Sequence, residues 1–283
     1  MGASHPGDIK TLVETAEPDY GIVTNVGRAH LQGFGSFEGV MQTKGELYDF
    51  LAARSAPVFI HAENEHLMAM ARQRGLAHLV DYSTTGDTQC FVSGTLLSAN
   101  PCVNFEWGGS HVLSTHLVGG YNLPNLMAAV CVGRYFDVSP EQINHALAAY
   151  VPTNNRSQMV KTERNTLIVD AYNANPNSMM AALESFCQQQ PKQSFLILGG
   201  MGELGDCSQQ EHRRIADWLA AHSFSRVWLV GSEFADIHPS PDFRLFKDVE
   251  EVKAALEKEQ PSGFTVLIKG SNSKRLYELP PYM

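Results

Sequence analysis

Residues 20–48 hold two side chains of contrasting chemistry, the imidazole of His30 and the amine of Lys44, fourteen positions apart. An imidazole in a loop is a ligand for a divalent metal, or simply a solvated or hydrogen-bonded side chain. A lysine on a helix is by itself usually a solvated charge. Asn122 and Asn125 stand three apart. Their amides can offer donors and acceptors to the edge of a planar ring, or Asn122 can cap the helix that follows. Arg156 brings a guanidinium fork suited to phosphate oxygens, or only a surface charge. Asp170 ends an apolar run, where an acid either meets a ligand or caps the next helix. Lys269 and Ser271 close the last apolar run, as a carboxylate-binding pair or as a basic loop with a cap.

Strands and helices must hold these groups. Gly21-Ile22-Val23 reads as a short strand that breaks at Thr24-Asn25. The glycines at 33 and 35 then make a bend, and Ser36 is suited to cap a helix carrying Lys44 and Glu46. Only a fold-back through that bend brings the imidazole to the amine. Upstream, residues 5–8 make a turn before a helical segment with Ile9, Leu12 and Val13 at helical spacing. Downstream, the pattern predicts a strand over 57–60, a helix over 65–74 and a strand over 78–82, the βαβ rhythm of a parallel sheet. Residues 88–118 change style to short runs broken by Ser-Gly, Asn-Pro and Gly-Gly, which reads as antiparallel hairpins. Ser139-Pro140-Glu141 restarts a helix, and residues 151–155 read as a hinge between domains 1–152 and 153–283. The second domain alternates strands at 167–169, 195–198, 227–230 and 265–268 with helices at 177–189, 208–221 and 249–259. Asp170 and Lys269 therefore stand at carboxyl ends of strands, where open α/β sheets place ligands.

Composition narrows the function. The 283 residues are 43% hydrophobic and 18% charged, ordinary for a soluble globular chain with a sizeable core. A net charge of −9 with no basic stripe argues against nucleic acid as a partner. The five cysteines are scattered, without a C-x-x-C pair, which reads as reduced thiols and a cytoplasmic location. No apolar run approaches membrane-spanning length, so no membrane insertion is expected.

Three strings then point one way: TNVGRAHLQGFGSFEGVMQTKGEL at 24–47, GYNLPNLMAA at 120–129 and DAYNANP at 170–176. They resemble the Mur ligases, ATP-dependent amide-bond formers of peptidoglycan precursor synthesis. Ala29-His30 and DAYNANP resemble the branch that adds D-alanyl-D-alanine. The resemblance implies an α/β fold: a truncated central ATPase-type α/β domain with antiparallel strands, then a Rossmann-like C-terminal α/β domain. It implies that ATP phosphorylates the terminal carboxylate of UDP-N-acetylmuramoyl-tripeptide and that the amine of D-alanyl-D-alanine attacks the acyl phosphate. His30 and a carbamylated Lys44 would hold Mg2+. Asn125, supported by Asn122, would hold the nucleotide with Arg156 and Asp170, while Asn173, Asn175, Lys269 and Ser271 would meet the substrate.

The departures from the family pattern matter as much. No G-x-x-x-x-G-K-[ST] run occurs, and that loop is what cradles a triphosphate. The glycine-rich residues 199–205 contain no lysine. The first residues, MGASHPGDI, resemble a segment that lies inside the family's central domain, and Val169 stands where many members have a second Asp. A fragment without the N-terminal domain and the phosphate loop, inert on its own, is therefore expected. A folylpolyglutamate synthetase-like or diaminopimelate-adding relative, or a non-catalytic binding module, remain the alternatives.

Overall fold

A computed structural model describes residues 1–27, 31–237 and 240–283. Its contacts divide the chain into two units, Met1–Thr115 with Gly120–Tyr150, and His116–Gly119 with Val151–Met283.

The first unit opens on helix α1 (Asp8–Ala16), which buries Ile9 and Val13. Leu12, expected on the same face, is 37% exposed. Strand β1 (Gly21–Ile22) follows, then a single turn α2 (Leu31–Phe34) and the long α3 (Phe37–Ala53). Ser36 caps α3 as expected, its hydroxyl accepting from the Gly39 N–H at 3.1 Å. Next come β2 (Val58–His61), α4 (Glu65–Gln73) and β3 (Leu79–Ser83). The strands β1, β2 and β3 pair in parallel, Gly21 opposite Val58 and Ile60 opposite Asp81. Their middle is dry: Val58 and Ile60 pack with Tyr48, Leu51, Leu67 and Met70 in one core cluster.

The antiparallel part is where the broken runs placed it. Strand β4 (Val92–Ala99) leaves β3 in parallel and pairs antiparallel with β5 (Cys102–Trp107), and β6 (His111–Val118) lies beside β5. Helix α5 (Leu123–Tyr135) and helix α6 (Pro140–Ala149) complete the unit, α6 with a capping box in which Ser139 and Gln142 satisfy each other's N–H groups,.

In the second unit β7 (Gln158–Lys161) runs antiparallel to β8 (Thr166–Asp170). Leu117 at the end of β6 pairs with Gln158 of β7. Then α7 (Pro176–Gln188), β9 (Ser194–Gly199), α8 (Ser208–Ala220), β10 (Arg226–Val230), the single turn α9 (Ser232–Ala235), β11 (Arg244–Phe246), α10 (Val249–Glu259) and β12 (Thr265–Lys269) follow. The strand order is β7-β8-β12-β9-β10-β11, parallel from β8 onward. Strands covered on both faces read as unbroken apolar runs, and Phe195 to Leu198 are all fully buried. This is why the runs at 167–169, 195–198, 227–230 and 265–268 were legible. The short β7 and β11 were not, since neither is apolar along its length.

The second unit carries its own core, in which Leu167, Phe195, Trp228, Leu256 and Val266 pack with Leu276, Leu279 and Met283. Residues 153–283 expressed alone are therefore expected to unfold cooperatively in urea. A gradual, non-cooperative loss of far-UV signal would show that the unit depends on the rest of the chain.

Candidate functional site

Lys44 projects from α3 toward the turn after β1, where its Nζ donates to the Asn25 carbonyl at 2.9 Å. No carboxylate partners it among the described residues. Desolvation alone holds its amine below the ordinary lysine value, because burial disfavours the charged form. His30, expected beside it, lies outside the described residues. Among those described, no cluster of three or more His, Cys, Asp or Glu side chains is placed to hold a metal.

The residues around Lys44 have structural duties that spacing did not show. Glu46, two residues after Lys44, accepts from the Gly7 N–H at 2.8 Å and the Lys10 N–H at 2.7 Å. Gly7 caps α1 without a side chain, so a carboxylate thirty-nine residues away supplies what a local cap would, and its charge suits a helix N-terminus. Gly45 faces Arg74: a Cβ there would lie 2.2 Å from Nη2 of the guanidinium, whose Nε donates to Asp49 at 2.7 Å. Gly33 lies against the N-terminal segment, where a Cβ would come 1.9 Å from the Ser4 carbonyl oxygen.

At the carboxyl ends of β2 and β3 a second polar group closes on Glu63. Its carboxylate accepts from the hydroxyls of Ser83 and Thr85 and from the Thr84 N–H at 3.1 Å, and meets His61 Nε2 at 2.9 Å. Desolvation raises the Glu63 carboxyl, but these hydrogen bonds outweigh it and leave the group below its ordinary value.

Asn122 does not cap α5 through its side chain. Its buried amide oxygen instead accepts from Asn125 Nδ2 at 3.2 Å. Asn125 is exposed.

In the second unit the predicted residues around 155–175 do come together. Asp170 does not cap α7; Asn175 does, in a capping box with Ser178. Asp170 is instead held by two partners: the buried Lys269 ammonium on one oxygen and the Ser157 N–H on the other, the latter at 3.1 Å. Lys269 is 1% exposed, so the carboxylate it meets belongs to the fold and not to a ligand. Asn175 is likewise taken up by its helix. Asn173 is exposed and turns its amide oxygen to the Ala174 N–H at 2.9 Å. Arg156 lies over the Tyr172 ring, 3.9 Å from its centroid.

Ser271 is buried beside the glycine-rich loop 199–205. Its N–H donates to the Gly200 carbonyl at 3.3 Å, and its hydroxyl accepts from Ser273 at 3.2 Å. The loop itself is tied by His212, which the sequence reading passed over. His212 is fully buried; its Nε2 accepts from the Met201 N–H at 2.9 Å and its Nδ1 meets the Ser208 carbonyl at 2.7 Å. That pairing requires the neutral ring with its proton on Nδ1, and burial holds the imidazole below its ordinary value.

The family described as "Mur ligase middle domain" matches residues 1–133, and the "Mur ligase, glutamate ligase domain" family matches residues 155–272. The chain is 28% identical over 99% of its length to a UDP-N-acetylmuramoyl-tripeptide–D-alanyl-D-alanine ligase of Bacillus subtilis, of which it spans 62%. It is 34% identical over 82% of its length to the ligase of the same name from Mycobacterium tuberculosis, of which it spans 47%. A crystal structure of MurF from Acinetobacter baumannii superposes with a TM-score of 0.83 at 25% identity, covering 99% of this chain and 62% of that one.

His212 generates a pH dependence with a definite sign. Its folded-state value lies below that of the unfolded chain, so the unfolded state binds the proton first. The stability it contributes is complete above about pH 6.5 and is lost as pH falls through the folded value. Urea melts at pH 7.5 and pH 5 are expected to show a loss in the native chain that His212→Gln, which keeps an acceptor but cannot titrate, largely removes. His212→Ala is expected to cost about 2–3 kcal/mol at pH 7.5 and less at pH 5, since it orphans the Met201 N–H and leaves a cavity but removes the titrating group. Equal pH slopes in the native chain and His212→Gln would refute the assignment.

Proposed function

Because the chain belongs to the Mur ligase family, we propose that it is part of an ATP-dependent ligase that adds D-alanyl-D-alanine to UDP-N-acetylmuramoyl-tripeptide. The observation that carries this reading is the environment of Lys44: a half-buried amine with a carbonyl partner and no counter-charge among the described residues. Such an amine is neutral more readily than an ordinary lysine, and the neutral amine is the form that reacts with carbon dioxide. The nitrogen–carbon bond forms, the amine proton leaves to solvent, and a cation becomes a carboxylate-like group.

The donor set suits magnesium once that has happened. A carbamate on Lys44 and the Asn25 carbonyl are hard oxygens, the ligands this ion prefers, and His30 is the further ligand that the family resemblance implies. Magnesium, when bound with ATP, supplies charge compensation for the phosphates and the substrate carboxylate. The protein's own contributions are positional. Asn125, with its Nδ2 tied to Asn122, keeps its oxygen as an acceptor for the amino group of adenine,. Arg156 offers its guanidinium to the phosphates. Asn173 and Ser271 are the proposed contacts for the incoming substrate, while Asn175 and Lys269 hold the structure that presents them. Reduced thiols and the absence of a helix long and apolar enough to cross a membrane among the described residues fit a cytoplasmic site of action.

The chain spans less than two thirds of these relatives, and it contains no phosphate-binding loop motif. Positioning and electrostatic stabilisation of the transferring phosphoryl group are the main catalytic contributions in such reactions. The 283 residues alone are therefore expected to release no measurable phosphate from ATP. A longer protein containing them and a phosphate loop is expected to release phosphate only with both the tripeptide nucleotide and D-alanyl-D-alanine present. Equal turnover with diaminopimelate or glutamate as the amine would overturn the choice of branch.

Lys44 can be tested without turnover. After equilibration with 13C-bicarbonate, the chain is expected to show a carbamate carbon resonance that Lys44→Ala lacks. Because the amine lies below its ordinary value, the signal is expected at a pH where the exposed lysines give none. Identical spectra for the native chain and Lys44→Ala would remove the central support of the reading.

A further inference from the structure

The turn that carries Arg156 is built in an unusual way. Asn155 and Ser157 both adopt left-handed backbone, with φ of 56° and 48°, a conformation that non-glycine residues hold only when something fixes it. Three contacts tie it to the end of β8 and the segment that follows, and the Val118 N–H donates to the Ser157 carbonyl at 3.2 Å as well. The Tyr172 N–H donates to the Asn155 carbonyl at 3.2 Å, the Ser157 N–H donates to Asp170, and the Arg156 guanidinium lies on the Tyr172 ring at 3.9 Å. Among the described residues the guanidinium makes no hydrogen bond or ion pair; the ring is its only partner.

From this we propose that Tyr172 is a positioning residue for Arg156, presenting the guanidinium edge to a polyphosphate. The proposal rests on the reading of Arg156 as a phosphate contact. An aromatic face attracts the cation while using none of its five N–H donors, so the whole fork stays available to an anion. A carboxylate in the same place would fix the side chain equally well but would occupy the fork and repel phosphate. Asp170, the one acid in the turn's foundation, is paired with the Lys269 ammonium, so it anchors Ser157 without leaving an uncompensated negative charge beneath the anion. Tyr172 is 45% exposed and Arg156 is exposed. The pair thus stands at the surface of the second unit, where a ligand can reach it. The flanking left-handed residues limit where the arginine can swing, and the ring selects among the positions that remain.

The test uses the 283-residue chain and inorganic tripolyphosphate, which lacks the base and ribose, with binding followed by NMR titration. Tyr172→Phe is expected to bind as the native chain does, since the ring is kept. Tyr172→Leu, similar in bulk but without the π face, is expected to bind about threefold more weakly, the size of effect an exposed cation–π contact supports. In an Arg156→Ala background the Tyr172→Leu change is expected to add nothing, the signature of two residues acting as one. The Arg156 side-chain protons are expected to carry an upfield ring-current shift in the native chain and Tyr172→Phe, absent in Tyr172→Leu. Additive losses, or native affinity in Tyr172→Leu while Arg156→Ala is weakened, overturn the role of Tyr172 and leave that of Arg156 standing. Native affinity in Arg156→Ala overturns the phosphate reading of Arg156 itself.

Discussion

A buried ammonium sets the terms on which the second unit can be built. Lys269 ends β12 directly opposite Asp170, the last residue of the adjacent parallel strand β8, and is 1% exposed. An unpaired charge in that position is untenable: removing one partner of such a pair typically costs about 3–5 kcal/mol, because the other charge is left stranded. The pair therefore fixes the carboxyl ends of two neighbouring strands in register. The segments that leave them, 171–175 and 270–274, start from that fixed edge. Close approach completes the arrangement, since Gly270 lies against Gly199 so tightly that a Cβ would come within 2.9 Å of its Cα. The loops that carry Tyr172, Asn173 and Ser271 inherit their places from one ion pair and one backbone contact.

In the first unit the governing constraint is space and satisfied N–H groups rather than charge. Lys44-Gly45-Glu46-Leu47 reads as a chemical motif, yet three of its four residues have structural work. Gly45 makes room for Arg74, Glu46 closes the N-terminus of α1, and Leu47 packs close over Gly21. Such packing fixes α3 against both α1 and the start of β1. Lys44 reaches Asn25 only because the helix beneath it cannot shift. A site on a rigid helix whose neighbours are locked holds its geometry better than one on a loop.

Much of this was legible in the sequence, and the limits have physical causes. The doubly covered strands of the second unit announced themselves as apolar runs, and caps such as Ser36, Ser139 and its proline-led helix followed from local chemistry. The family resemblance came from strings too specific for propensity alone. The misreadings share one origin: a polar residue's partner is set by tertiary contacts that spacing does not encode. Asn175, expected at the substrate, caps its own helix with Ser178. Lys269 was expected to await a substrate carboxylate and had already found Asp170. His212 and Glu46 gave no local signal, because their partners lie eleven and thirty-nine residues away.

The buried Lys269 and the half-buried Lys44 differ in how their charge is met. Lys269 has a carboxylate partner, so its charge is compensated and nothing is gained by altering it. Lys44 has only a carbonyl oxygen, and burial holds its amine below the ordinary value. Its folded-state value lies below the unfolded one, so at neutral pH the unfolded chain is the better home for the proton, and the protonated amine weighs against folding. Any change that removes the positive charge relieves that penalty. A carbamate does so but adds a negative charge, which in turn needs a cation to be stable where it lies. On the proposed function, the modification and the ion would therefore depend on each other, and Lys44 would be relieved of its unfavourable charge only when both are present.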